Sequence, residues 1–496
     1  MNISTVRKHT VSPYLYMQFA EPLGTADSSV DAGWDFLADR WQPCLIEQAR
    51  RLAPTMVRFG GCFASYYHWR EGVGPRELRP PMRNLCWDGV YLNQVGTAEI
   101  ADFCAQVNAE PLFVVNMESD GRMNWAYPRA GENRLGTARE AAEWVAYCND
   151  PDNAERKSHG RAEPYNVRWW QIGNETSYDR QGYTLAQTAD ATVRFGRAMK
   201  EVDPNIMLLG WADSGWARDI AAAAGEYVTH LAFHHHMGAG GKESPLQGTA
   251  YRDDPDRTWE YLMNAYKSLD ECLARHREEA LSAGKRLAMT EGHFALNGRN
   301  RCEVLSSWGA GVAYARCLLT QERYADVLDI ATMADFFGNR WQVNAIMLPT
   351  PARQGAAYLM PVGEVMRLYR HHVGQYAVEL RDVPAGVDAC GSISADGRTL
   401  YLHLANTDRA HATQVPLTVE NAKISTVTAY EIAADSTTEI TPLCPHVFEP
   451  TEKKITDGVY TLPPAGVAAI ELAMSNEQLG RKGYVCAQTE KMSNEK

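Results

Sequence analysis

The chain has 496 residues, enough for one large α/β barrel plus a smaller module, and its 45% hydrophobic and 22% charged residues are ordinary for a globular protein. A net charge of −12 argues against a general nucleic-acid binder, which needs a basic face, and no apolar run reaches transmembrane length. Eleven cysteines, scattered from Cys44 to Cys486 without a CxxC pair, fit a reduced cytoplasmic chain better than a disulfide scaffold or a zinc cluster, and the first residues lack the apolar h-region of a signal peptide.

In chain order, short apolar runs alternate with helical patterns. Tyr14–Ala20 reads as a strand ending before Glu21, and Asp39–Leu52 as a helix leading to the strand Thr55–Phe59 and Gly60-Gly61. Helical spacing over Ala98–Val107 leads to the apolar run Pro111–Met117. Gly136–Cys148 is helix-rich and precedes Val167–Glu175, VRWWQIGNE. Ala186–Val202 is helical before Ile206–Trp211, and Val228–His234 is the next strand. Thr258–Arg275 reads as one long amphipathic helix with Leu262, Tyr266, Leu269 and Leu273 on one face. It precedes the strand Arg286–Glu291, and a helix at Val304–Leu319 leads to Val327–Met333. About eight strand–helix alternations over roughly 330 residues match a (β/α)8 TIM barrel with insertions. A doubly wound open sheet is the rival, but no GxGxxG follows the first strand.

After the helix Pro361–His372 the pattern changes. Short alternating strands separated by Asp-Gly and Pro-Ala-Gly turns predict a C-terminal antiparallel β-sandwich domain. The expected division is a catalytic barrel at 14–372, a sandwich formed by 373–474 together with 1–13, and a polar flexible tail at 475–496.

Two strands deliver glutamates. Glu175 ends an apolar strand, and burial beside such residues disfavours the charged form of a carboxyl group, which suits a general acid. Glu291 closes RLAMTE. Two strand-end glutamates in one α/β chain suggest a glycosidase carboxylate pair, although either alone reads more readily as a loop charge. In a barrel, site residues gather where strands end, and Glu21, Arg58, Asn174, Glu175, His234 and Glu291 all fall at or near such ends. His234-His235-His236 places His234 and His236 on one strand face. No third ligand stands beside them in sequence, so neither a metal nor another cofactor is expected.

Several fragments together carry a family resemblance: FAEPLG at Phe19–Gly24, VRFGG at Val57–Gly61, HWREGVGPRELRP at His68–Pro80 and NQVGTAEI at Asn93–Ile100. To these add VAYCND at Val145–Asp150, IGNE at Ile172–Glu175 and ADVLDIATMA at Ala325–Ala334. IGNE alone is a weak signal; the long loop His68–Pro80 is a specific one. Over about Leu15 to Leu472 the chain resembles the α-L-arabinofuranosidases of glycoside hydrolase family 51. The resemblance implies a retaining mechanism with Glu175 as acid/base and Glu291 as nucleophile. Arg58 resembles the second-strand arginine, a fixed cation expected to keep Glu291 ionised. Asn174 resembles the donor to the sugar 2-hydroxyl, Glu21 a glutamate that binds sugar hydroxyls, and Trp87 the loop tryptophan that walls the pocket. A glycoside or oligosaccharide substrate is implied, with no nucleic acid or membrane partner, and so is a homo-oligomer, since the family often forms hexamers.

The chain departs from the family pattern in the sugar pocket. Cys62 stands where Asn usually follows Gly-Gly, and His236 replaces a tyrosine two residues after His234. Gly292, followed by His293, replaces a tryptophan after the nucleophile. The family glutamine near the eighth strand has no clear equivalent, and Trp341 or Gln342 falls near it. Cys62, His234, His236 and Trp341 are therefore expected among the sugar-binding residues. The expectation is a cytoplasmic retaining exo-glycosidase that removes terminal furanosyl residues, most simply α-L-arabinofuranose. The alternatives are another glycone (galactofuranoside, D-arabinofuranoside or a pyranoside) or a sugar-binding protein without turnover.

Overall fold

Eight parallel strands follow one another around a common interior: β1 (Gln18–Ala20), β2 (Met56–Phe59), β3 (Glu110–Val115), β4 (Trp169–Ile172), β5 (Met207–Trp211), β6 (Val228–Gly238), β7 (Arg286–Ala295) and β8 (Leu328–Ala331). The computed structural model describes residues 1–119, 134–178, 183–296, 302–351 and 354–475, so the expected tail beyond Ser475 lies outside the described residues. The strands are apolar on both faces because both faces are covered. Met56, Leu112, Trp169, Leu209, Ala288 and Ile330 fill the interior. Phe59, Phe113, Trp170, Leu208, Phe233 and Leu287 pack outward into the shared core. Each large buried side chain contributes roughly 1.5–3 kcal/mol.

The barrel closes over a broken eighth strand. Met17 N–H donates to Ala331 O at 3.0 Å, which joins β8 to the start of β1. Thr332 Oγ donates to Ala334 O at 3.0 Å and holds the interruption. The chain then resumes as the strand Asp335–Gly338, with Asp335 in register with Phe19 of β1. The fold is the expected (β/α)8 barrel followed by antiparallel sheets.

Local boundaries differ from the expectation where caps and turns decide them. Tyr14 to Tyr16 belongs to a 3-10 turn, Pro13–Tyr16, and not to a strand. Pro13 occupies its first position and Ser12 Oγ accepts from Tyr14 N–H at 3.2 Å. The helix expected from Asp39 begins only at Pro43, because Trp34–Asp35 and Arg40–Trp41 pair as a small hairpin. The long helix Thr258–Arg275 is two helices, Pro255–Asn264 and Tyr266–Ala283, meeting where Ala265 N–H bonds Leu262 O at 3.2 Å, a tighter i→i−3 contact. The helical pattern from Val304 starts as a 3-10 turn, Glu303–Ser306, before the α-helix Trp308–Arg323. β6 and β7 run on past His234 and Glu291, which face each other in register within the sheet rather than at its rim.

The C-terminal region is a six-stranded antiparallel sheet from Tyr376–Val378 to Val467–Met474 around a second core that includes Leu402 and Ile470. Asn2–Ile3 lies between Leu380–Arg381 and Thr418–Val419. A loop of this region caps a barrel helix: Trp308 N–H donates to Thr438 O and Gly309 N–H to Ser436 O, both at 2.8 Å. These satisfy donors that a helix start leaves without intrahelical partners. Among the described residues no helix is long and apolar enough to cross a membrane.

Candidate active site

The C-terminal ends of the barrel strands open into a cavity of about 280 Å³. Seven of the ten residues nominated from the sequence line it: Glu21, Cys62, Trp87, Glu175, His236, Glu291 and Trp341. Arg58, Asn174 and His234 lie in the hydrogen-bond network beneath it.

Arg58, on β2 and with no solvent exposure, ties three strands together. Its Nη1 donates to Glu291 Oε1 at 2.8 Å, its Nη2 to Asn174 Oδ1 at 2.7 Å, and its Nε to Gln171 Oε1 at 3.1 Å. Gln171 in turn donates from Nε2 to Gly173 O at 2.9 Å, fixing the turn that follows β4. The Nδ2 group of Asn174 is buried without a hydrogen-bond partner, so the residue keeps donors in reserve.

Glu175 sits on that turn with φ +52°, in the left-handed region, a conformation that costs a non-glycine residue about 1–3 kcal/mol. Its Oε1 is 2.8 Å from His234 Nδ1, and its Oε2 accepts from the Cys62 thiol at 3.6 Å. Burial pushes its pKa up to about 7; Arg58 and the thiol bond oppose the rise, and Asp213 adds to it. Burial also holds His234 down at about 4, so its imidazole is neutral, with Nε2 3.0 Å from Thr290 Oγ1. Oxygens of Glu175 and Glu291 and a nitrogen of His234 all lie within 4.8 Å of one another. Three such atoms are able to converge on a cation, but Arg58 already supplies Glu291 with a positive charge and works against a divalent ion there.

The remaining walls surround this pair. Glu21 Oε1 accepts from Phe63 N–H at 3.0 Å and from Trp87 Nε1–H at 3.1 Å. Burial and the nearby Glu291 push its pKa well above the usual carboxylate range. Gly61 makes room for it: at φ +112°, a Cβ there would lie 2.1 Å from Glu21 Oε2. The Trp87 and Trp341 rings stand 6.4 Å apart. Gln342 lines a neighbouring cavity instead, so of the two sequence candidates Trp341 faces this one. Strand alternation turns His235 outward to Ser268 Oγ at 3.1 Å and leaves His236 half-buried, its Nε2 4.0 Å from Glu291 Oε2. Burial and the neighbouring imidazoles push His236 well below the usual histidine range.

Sequence reasoning passed over Gln171, Thr290, Cys86 and Asp335, and noted His293 only as the residue that follows Gly292 in the sugar pocket. Gln171 had a signal: alternation puts it on the face of Trp169, a polar side chain inside an apolar strand. Asp335 had little, because the break in the eighth strand that places it in the cavity is invisible in ADVLDIATMAD.

Known proteins carry the same fold and part of the same sequence. A family model described as the α-L-arabinofuranosidase 1 domain matches residues 48–253. Over 222 residues the chain is 32% identical to the probable α-L-arabinofuranosidase C of Aspergillus niger, covering 42% of this chain and 41% of that one. Over 242 residues it is 31% identical to the intracellular exo-α-(1→5)-L-arabinofuranosidase of Acetivibrio thermocellus, covering 45% of each chain. The matched part thus spans less than half the length of these curated relatives. The crystal structure of the Thermotoga maritima α-L-arabinofuranosidase in complex with arabinose superposes with a TM-score of 0.76 at 23% identity, covering 95% of this chain and 99% of that one. The family 51 α-L-arabinofuranosidase of Thermotoga petrophila gives 0.77 at 23% identity over the same shares. In sequence over less than half of its length and in fold over nearly all of it, the chain is similar to the arabinofuranosidases of glycoside hydrolase family 51.

Proposed function

We propose that this protein is a retaining exo-glycosidase that hydrolyses terminal furanosyl residues, most simply α-L-arabinofuranosides, by double displacement. The observation that carries the reading is the Glu175–Glu291 pair, whose oxygens lie within 4.8 Å in one cavity. Retention needs carboxyl groups about 5–5.5 Å apart, whereas inversion leaves about 6.5–9.5 Å for a water. The names and folds of the relatives favour the arabinofuranosyl unit over other glycones.

The two acids differ in the way the reaction needs. Glu291, paired with Arg58, attacks the anomeric carbon while the bond to the leaving oxygen breaks and Glu175 gives that oxygen its proton. Forming the ester removes the charge of Glu291. Glu175, now ionised, takes a proton from a water that attacks the anomeric carbon, and the bond to Glu291 breaks with net retention. In this reading the free Nδ2 of Asn174 donates to the 2-hydroxyl, and Glu21 binds further hydroxyls. Trp87 and Trp341 cover the sugar C–H faces. His234 positions Glu175, while Cys62 and His236 complete the wall. The barrel of 14–372 carries the chemistry and the sandwich of 1–13 with 373–474 supports it. Free cysteines throughout the described residues, and a relative named as intracellular, favour the cytoplasm; assembly as a homo-oligomer fits the family.

The test uses Glu175→Ala and Glu291→Ala with an activated aryl α-L-arabinofuranoside. Each variant is expected to lose at least about 10³-fold in kcat. Azide restores Glu175→Ala through the glycosyl-enzyme with retained product, and restores Glu291→Ala only with inverted product. Wild-type rates in both variants would end the assignment. Cys62, His236 and Gly292 are the residues on which a different glycone would turn, and a panel of nitrophenyl furanosides and pyranosides decides between them.

A further inference from the structure

One carboxyl group in the cavity has no task in the scheme above. Asp335 is 3% exposed, and neither of its oxygens has a hydrogen-bond partner. An unsatisfied buried carboxyl group carries its full desolvation penalty, and where such a group lines a cavity a ligand is the natural source of the missing partner. Its placement follows from the fold. The eighth strand stops at Ala331 and resumes at Asp335, which turns this side chain into the cavity beside Phe19.

His293 stands beside it. The His293 Nδ1–H donates to the carbonyl of Phe294 at 2.8 Å, which leaves the Nε2 lone pair directed 3.6 Å from Asp335 Oδ1. That separation is too long for a direct bond and leaves both atoms to a third group. The ring is held from both sides, by His236 at 4.4 Å and by Trp341 at 5.5 Å between centroids. Gly292 permits the arrangement: a Cβ there would lie 2.8 Å from Thr332 O, inside the strand break itself. The two residues are also matched in proton content. Burial, with Asp27 and Glu291 nearby, pushes Asp335 well above the usual carboxylate range, and burial holds His293 at about 4. Both shifts favour the uncharged forms, a carboxyl group able to donate beside an imidazole nitrogen able to accept.

We infer that Asp335 and His293 form a hydroxyl-binding station of the glycone pocket, in which one sugar hydroxyl donates to His293 Nε2 and accepts from the Asp335 carboxyl group. A hydroxyl group fits because it donates and accepts at once, which a carboxylate or an ammonium does not. Asp335 is then a specificity-determining residue that sequence comparison of the acids alone would not select. The inference rests on the glycosidase reading only in taking the ligand to be a sugar.

The test is calorimetric titration of the full-length protein with L-arabinose, D-galactose and their monodeoxy forms, using wild type, Asp335→Ala and Asp335→Asn. At least one aldose binds wild type, and Asp335→Ala weakens it about tenfold or more. One monodeoxy form binds wild type and Asp335→Ala equally, because the hydroxyl that the station reads is already gone. Asp335→Asn, which keeps a donor and an acceptor, stays within about threefold of wild type. If Asp335→Ala fails to fold, His293→Phe carries the same comparison. Equal affinities in wild type and variant, a loss on Asp335→Ala that is the same for every deoxy form, or no binding to wild type overturns the station. Aryl furanoside turnover is measured in parallel: Asp335-dependent binding without turnover sinks the glycosidase reading alone, and turnover without such binding sinks the station alone.

Discussion

Arg58 Nη1 donates to Glu291 Oε1 at 2.8 Å, from a guanidinium with no solvent exposure. Removing one partner of such a pair leaves the other charge buried and alone, which typically costs about 3–5 kcal/mol. Arg58→Ala is therefore expected to lower the free energy of unfolding in urea by that order and to abolish most turnover. Arg58→Lys restores the charge without the fork that also reaches Asn174 and Gln171, so it recovers stability further than kcat. Unfolding curves and kcat measured on the same two variants check both statements.

With Glu175 as the proposed acid, its proton is expected to set the basic limb of the pH profile. With the group raised to about 7 by burial, kcat/KM is expected to fall as pH rises through about 7. The Cys62 thiol bond favours the ionised form, so Cys62→Ala moves this limb to higher pH while leaving most of kcat in place. A limb that shifts to lower pH in Cys62→Ala contradicts the hydrogen-bond assignment.

The same shift enters stability. A folded pKa of about 7 against about 4.3 unfolded means that the folded state holds the proton longer. Below about pH 4 the group is protonated in both states and contributes no penalty. Between about pH 4 and 7 the unfolded chain gains by ionising, and stability falls by about 1.4 kcal/mol per pH unit from this group. Glu175→Gln removes the ionisation. Its advantage over wild type is expected to grow by about 3–4 kcal/mol across that window and to level off above it. Urea unfolding of both proteins at pH 4, 5.5 and 8 measures the difference.

Gly61 is expected to tolerate no side chain. Its φ of +112° and the 2.1 Å approach of a Cβ to Glu21 Oε2 force either the backbone or the glutamate to move. Gly61→Ala should lower stability by about 1–3 kcal/mol and, with Glu21 binding sugar hydroxyls as proposed, raise KM more than it lowers kcat. Steady-state kinetics on an aryl furanoside separates the two parameters.

Much of this site was legible in the linear chain. The apolar runs and their alternation with helical spacing predict the barrel, because covered parallel strands must be apolar on both faces. Glu175 and Glu291 stand out as acids borne by such strands, and the loop His68–Pro80 adds a specific resemblance. Boundaries were less legible where a proline or a cap overrides periodicity, as at Pro13 and Pro43, and where one helical pattern hides a join at Ala265.

The residue types, the strand alternation and the order of the elements are local properties, and a chain carries them in its spacing. What lies opposite what is not local. His234 meets Glu291 in register across two strands, and Arg58 reaches Glu291 over 233 positions, because the sheet curls until its first and last strands bond. The place of Asp335 depends on that same closure: the eighth strand breaks to meet β1, and the break turns an unremarked aspartate into the cavity. Residue identity sets which chemistry each side chain offers; only the closed barrel sets which of them share a few ångströms of buried space, and there charge and proton content are decided.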